Sequence, residues 1–275
     1  MHFVSNGNME GGELDRALAS ADHQVRARAV RQLSDQARLE QIVLGDPDRY
    51  VRQLAAERIA CQEVLARVAR EDKDYFVRQA AVMKIRDCRA LADIVLKNQD
   101  DYYFCKEALS NICDNDMLAS LIEGLTDRDI KSAVVRMIND QQVLAGIATS
   151  HSDLYTRCDA LRKITDQEVL SRIALEDPDY YMRALSVHQL EDLELVARIA
   201  HEDRDFTVRG QAVLRLRDQE ILGRVVQNDP DFDVCKKALA RIEDPVILKG
   251  LMENLGDEGR RQKVKARLAE IGAGC

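Results

Sequence analysis

An aspartate returns along the chain at Asp22, Asp48, Asp74, Asp101, Asp127, Asp153, Asp179, Asp205, Asp231 and Asp257. Every interval is 26 residues except the 27-residue step from Asp74 to Asp101. Three residues after most copies comes an apolar-then-basic pair, as in Val51-Arg52, Val77-Arg78 and Met182-Arg183. A period of this length marks stacked repeats, each a unit that cannot bury its apolar face alone. The chain must therefore fold by adding like units side by side, with every unit leaning on its neighbours.

One copy, Asp177 to Glu202, shows what the unit is. Asp179 stands where a helix N-cap belongs, with a carboxylate able to accept orphan backbone N–H groups. Met182, Val187 and Leu190 follow at helical spacing, with small Ser186 where helices must approach closely. Asp192 opens a second helix, whose apolar face is Val196, Ile199 and Ala200. The second-cap column reads Asp35, Cys61, Asp87, Asp114, Asp140, Asp166, Asp192, Asp218 and Asp244. A core column (Leu39, Leu65, Leu91, Leu118, Leu144, Leu170, Val196, Leu222, Leu248) is aliphatic throughout. Helices this short are marginal in isolation, so stacking must hold them. The pattern predicts an all-α solenoid of about ten 26-residue, two-helix repeats.

Composition agrees. The chain is 46% hydrophobic but only 4% aromatic and lacks Trp, so the core must be Leu, Ile, Val and Ala. A net charge of −8 argues against nucleic acid, which would call for a clustered basic face. Seven cysteines without a CxxC pair read as free thiols of a reducing cytoplasm. No stretch approaches the roughly 20 apolar residues needed to span a bilayer. The opening MHFVSNGNMEGG reads as a frayed tail or an expression remnant over residues 1–12. Residues 13–275 then form a single solenoid, with Leu14–Ser20 and Arg260–Ile271 as half-repeat caps.

The phrase D-x-D-x-x-V-R-x-x-A, followed by a capping Asp, resembles HEAT repeats. It is closest to short bacterial forms such as the phycobilin-lyase-type HEAT-like repeats, and it is also similar to the leucine-rich variant repeat. The resemblance covers residues 14 to 271. It implies a right-handed α/α solenoid of armadillo-like architecture, and a range of roles spanning scaffolds, chromophore lyases and DNA glycosylases. In such repeats the Asp and Arg of the phrase form a hydrogen-bonded ladder, so Asp179 is expected to partner Arg183. The ladder should break at Cys105 and Cys235, which replace the arginine. The iron–sulfur cluster of one leucine-rich variant protein does not carry over, since no Cys precedes Cys61. The His-Glu pairs of iron-binding HEAT hydroxylases do not either, since only His201-Glu202 occurs.

The candidate binding residues are aromatic. Ten of the twelve aromatic side chains lie one or two places after the recurrent Asp: Tyr50, Tyr75, Phe76, Tyr102, Tyr103, Tyr155, Tyr180, Tyr181, Phe206 and Phe232. They either staple neighbouring repeats or form a stripe for a partner, where Tyr offers a large contact area with a polar tip. The adjacent doublets favour the stripe, because two neighbouring rings cannot both face one core. Arg67, Arg172, Arg198 and Arg224 each follow a Glu by four residues (Glu63, Glu168, Glu194, Glu220), a spacing that predicts neutralising pairs rather than a nucleic-acid face. Cys61, Cys88 and Cys113 fall at successive turns, too far apart for the short bonds of a zinc site. No phosphate loop, Ser-His-Asp set or zinc-protease helix appears. The reading is a non-enzymatic, cytoplasmic scaffold for a protein or peptide, with no cofactor and no metal. The alternatives are a tetrapyrrole lyase or chaperone, suggested by the repeat subtype, and a DNA-binding HEAT protein.

Overall fold

The computed structural model describes residues 11–272 and falls into two compact units, one ending at Ile138 and the next beginning at Asn139. The first unit contains α1 (Gly11–Leu18), α2 (His23–Gln32), α3 (Gln36–Gly45), α4 (Arg49–Ala56), α5 (Gln62–Glu71), α6 (Tyr75–Val82), α7 (Cys88–Lys97), α8 (Tyr102–Ser110), α9 (Asn115–Gly124) and α10 (Arg128–Met137). The second contains α11 (Gln141–Ser150), α12 (Leu154–Leu161), α13 (Gln167–Glu176), α14 (Tyr180–Val187), α15 (Leu193–Glu202), α16 (Phe206–Arg215), α17 (Gln219–Asn228), α18 (Phe232–Arg241), α19 (Pro245–Asn254) and α20 (Glu258–Gly272). Among the described residues no strand occurs, so each unit is a stack of helices of the α/α solenoid kind. Of the tail expected over residues 1–12, positions 1–10 lie outside the described residues, while Gly11 and Gly12 already belong to α1.

Both capping columns do what their chemistry suggests. Asp48, Asp74 and Asp179 accept the backbone N–H groups of Tyr50, Phe76 and Tyr181 at 2.9, 3.0 and 2.7 Å. The second column behaves alike, with Asp192 holding Glu194 N at 2.9 Å and Leu195 N at 3.0 Å. Cys61 makes no such bond, because a thiol is a poor acceptor for an amide.

Packing pairs the helices differently from the sequence frame. Each second helix packs most closely on the first helix that follows it, as α3 on α4, α5 on α6, α13 on α14 and α15 on α16. The hairpin therefore turns on the short D-x-D loop. In this frame α1 pairs with α2 and α19 with α20, so each terminal helix has a hairpin partner. The core lies between the two helix rows of each unit. Leu39, Leu65, Leu91 and Leu118 fill it in the first, and Leu144, Leu170, Val196, Leu222 and Leu248 in the second, all buried. Ala29, Ala55, Ala81 and Ala108 keep the first helices of the first unit close, as Ala160, Ser186, Ala212 and Ala238 do in the second.

The turns need no left-handed residue, and none of the described residues has a positive φ. Most helices end instead on extended residues such as Asp72 (φ −66°, ψ 135°), whereas α4, α6, α8, α12 and α14 end on right-handed helical residues. The last carbonyls of such helices lack a glycine cap and must find other donors. The extra residue of the 27-residue step sits between Asn98 and Asp101, where both flanking residues leave the usual cap geometry.

Candidate functional site

A ladder of arginines binds the loops that follow these helix ends, and its partners differ from the expected ones. Arg183 pairs with Asp203, twenty residues on, and not with the cap Asp179. The reason is geometric: the side chain leaves its helix toward the next hairpin loop, where the first Asp of D-x-D waits. Arg183 holds both carboxylate oxygens of Asp203, at 2.8 and 2.9 Å, and donates backward to Asp177 O at 2.9 Å. Arg209 repeats this with Asp229, at 2.7 and 3.0 Å, and Arg157 pairs with Asp177. In the first unit Arg26 grips Asp46 and Arg52 grips Asp72, each at 2.8 and 2.9 Å. The loop aspartate also accepts the N–H of the cap two residues later, as Asp72 does from Asp74 at 2.9 Å. One carboxylate thus ties an arginine from the preceding repeat to its own turn.

These pairs are nearly closed to solvent, with the Arg183 side chain 2% exposed. The hydrogen bond to Asp72 holds the Arg52 guanidinium above its usual pKa against the pull of burial. Burial alone would raise the Asp72 carboxyl, but hydrogen bonds from Arg52 and from the Asp74 N–H keep it below the usual range. A buried ion pair adds little net stability, yet removing one partner strands a charge. The ladder therefore fixes register between repeats.

The ladder stops where expected, at Cys105 and Cys235; it also lapses at Lys131, where the residue twenty positions on is His151, and at Arg78. The position twenty residues beyond Arg78 is Asn98, so Arg78 lacks a carboxylate there. It donates to Asp72 O at 3.0 Å and lies over the rings of Tyr75 and Phe104, at 5.8 and 5.6 Å from their centroids. Cys105 is buried, with its thiol 3.0 Å from Asn98 O. Burial, reinforced by Asp101 and Asp100, pushes its pKa up to about 12.

The aromatic side chains lie mostly on the surface. In the first unit Tyr50, Phe76 and Tyr103 are exposed, Tyr103 at 74%, whereas Tyr75 and Tyr102 are half-buried. Tyr75 packs toward Phe104 of the next first helix, at 6.1 Å between centroids, and burial raises its pKa. Tyr75-Phe76 and Tyr102-Tyr103 meet edge to face, at 5.6 and 5.7 Å, so each doublet turns one ring inward and one outward. Arg31 and Arg49 cover the rings of Tyr50 and Phe76, at 5.7 and 5.6 Å. In the second unit Tyr155, Tyr180, Tyr181, Phe206 and Phe232 are all exposed.

A second ladder went unread in the sequence. Gln36, Gln62, Gln141, Gln167 and Gln219 follow the second cap and reach across to the neighbouring turn. Gln167 donates to Gln189 O at 3.3 Å and accepts Glu191 N at 2.9 Å. Gln36 accepts Ala60 N, also at 2.9 Å. The signal was a Gln directly after the cap at the same 26-residue spacing.

The expected Glu-to-Arg pairs do not form. Arg67 turns to Glu71, at 3.1 Å, instead of Glu63, and among the described residues Arg172, Arg198 and Arg224 make no salt bridge. These side chains are exposed, where water solvates each charge as well as a partner would. Glu168, Glu194 and Glu220 remain on the same helices, so the faces stay mixed in sign. Among the described residues no three His, Cys, Asp or Glu side chains group to hold a metal, and no helix is long and apolar enough to cross a membrane. His2 and Cys275 lie outside the described residues.

No protein-family model matches the chain, and no curated protein matches it. Among solved structures it is similar to YibA of E. coli, at 15% identity over 96% of this chain and 93% of that one, with a TM-score of 0.23. A homology model of the full-length AP-3 complex matches at 11% identity over 95% of this chain and 68% of that one, with a TM-score of 0.32. Superpositions this loose carry no argument about family or function.

Proposed function

We propose that the protein is a non-enzymatic scaffold that binds a protein or peptide through the aromatic residues at the starts of its first helices. One observation carries this reading: eight of the ten candidate rings are solvent-exposed, although the repeat offers them a neighbouring helix to pack on. Large apolar rings held in water at repeating positions suit an interface, where Tyr and Phe supply contact area at small entropic cost. The 26-residue step from Asp127 to Asp153 supports treating residues 13–275 as one array. Free thiols at Cys61, Cys88, Cys105, Cys113, Cys158 and Cys235 support a reducing, cytoplasmic setting.

The test replaces outward rings only, as Phe76→Ser, Tyr103→Ser and Tyr181→Ser together. Half-buried Tyr75 and Tyr102 stay, so the core contact with Phe104 survives. Thermal melts by circular dichroism should stay within a few degrees of wild type, since exposed substitutions change stability by only about ±0.5 kcal/mol. Affinity capture with quantitative mass spectrometry should lose the partners that wild type retains. A melt lowered by many degrees with partner capture intact would assign these rings to stapling repeats.

A further inference from the structure

The ladder gap at Cys235 leaves a groove between α18 and α20, about 320 Å³ in volume. Where the ladder is intact, this column carries an arginine that pairs with an aspartate twenty residues on. Here the arginine is Cys235 and the distal residue is Leu255, so neither charge is present. Arg260 enters from α20 and takes the orphaned carbonyls, Asp229 O at 2.7 Å and Val226 O at 3.1 Å. It caps the inner end of the groove without filling it. The floor is apolar, built from Val226, Cys235 and Leu239 with exposed Phe232 beside them. The rim carries Lys236, Lys263 and Arg267 with one acid, Glu270. Arg267 is already committed to Ile242 O and Glu270, at 3.1 and 3.2 Å, but Lys236 and Lys263 form no salt bridge among the described residues.

We infer that this groove binds a small organic anion with an apolar body, its carboxylate, sulfonate or phosphate set between Lys236 and Lys263. The volume lies at the lower end of the roughly 300–1,000 Å³ usual for ligand pockets, which suits a small molecule better than a folded partner. Apolar walls supply affinity, and two uncommitted ammonium groups select charge in a chain whose net charge is −8. This site does not depend on the scaffold reading, and the outward-ring variant above leaves it intact.

The probe is anilinonaphthalene sulfonate, an apolar anion whose fluorescence rises in such a groove, with uncharged Nile red as its comparison. Wild type should bind one anionic probe per chain, more weakly as salt rises. Ala266→Trp, at an exposed position on the groove wall, should weaken both probes by about tenfold or more. Lys236→Gln with Lys263→Gln should weaken the anion by about tenfold and leave Nile red unchanged. Arg172→Gln, away from the groove, should change neither. If Ala266→Trp misfolds by circular dichroism, the lysine pair decides alone. Anionic-probe binding unchanged by Ala266→Trp and by the Lys236→Gln, Lys263→Gln pair would overturn the proposal. So would displacement of the probe by a Glu-rich peptide carrying one Phe more readily than by decanoate, which would make the groove a peptide site.

Discussion

Cys105 and Cys235 occupy the same column, and each removes an arginine from the ladder, yet the two repeats respond differently. At Cys105 the backbone closes the gap. The extra residue between Asn98 and Asp101 lets Asn98 O accept both the Cys105 thiol, at 3.0 Å, and Asp101 N, at 2.9 Å. Phe104 lies beside it, buried against Arg78 and Tyr75. At Cys235 the loop has its ordinary length and the neighbouring core residue is Val234, smaller than Phe104. The thiol contacts there are longer, 3.4 Å to Asp229 O at the nearest, and a side chain from another helix must supply the donor. One repeat absorbs the loss into packing. The other leaves a lined groove.

The largest effect should come from breaking the ladder where it is whole. Asp203→Ala strands the buried Arg183 guanidinium and should cost about 3–5 kcal/mol in urea denaturation. Both cysteine gaps pair the missing arginine with an apolar residue twenty positions on, Leu125 beyond Cys105 and Leu255 beyond Cys235. The double change Arg183→Cys with Asp203→Leu copies that solution and should be far milder than Asp203→Ala alone. A double variant as damaged as the single one would show that the natural gaps survive for some other reason.

That pairing rule was visible in the chain and marks the limit of a single-column reading. Asp caps, aliphatic columns and the helix pair follow from local spacing, so they are legible from the repeat itself. The ladder partner is not local. D-x-D offers two aspartates, and only the fold reveals that the second caps its own helix while the first receives an arginine from the repeat before. Comparing columns at a separation of twenty would have found it, since Arg26, Arg52, Arg157, Arg183 and Arg209 all meet Asp there. The glutamine ladder hid for a different reason: Gln is an ordinary helix former, so nothing about one copy asks for an explanation. The expected Glu–Arg pairs failed because i,i+4 spacing permits contact without requiring it, at only about 0.2–0.5 kcal/mol per pair. Of the candidate site, the positions of the rings were legible, but not that one ring of each first-unit doublet turns inward while Tyr180 and Tyr181 both stay exposed. That choice depends on whether a neighbour such as Phe104 offers the ring a partner.

The next effect isolates the Cys235 side. Arg260→Ala removes both charged hydrogen bonds to Asp229 O and Val226 O, and should cost about 1.5–3 kcal/mol. No comparable substitution exists at Cys105, where the donor to Asn98 O is the backbone of Asp101. If Arg260→Ala is silent in denaturation, water replaces the guanidinium and the groove is wetter than its apolar floor implies.

The smallest effect is in the thiols themselves. Cys105→Ala removes a short contact in a closed site and should cost about 1 kcal/mol, whereas Cys235→Ala loosens only long contacts beside an open groove and should cost less. Reactivity should separate them more clearly than stability. Burial raises both thiol pKa values, that of Cys105 to about 12, but at Cys235 the Arg260 guanidinium works against the rise by favouring the thiolate. At mildly alkaline pH the thiolate is the attacking form, so a raised pKa slows alkylation. Iodoacetamide labelling of the native protein, followed by peptide mass spectrometry, should modify exposed Cys113 first, Cys235 next and Cys105 last. Cys105 labelling should appear only as fast as its unit opens, and Ala266→Trp should protect Cys235 while leaving Cys105 and Cys113 unaffected. Equal rates at Cys105 and Cys235 would mean that the groove does not reach the thiol, and that the two gaps are closed alike.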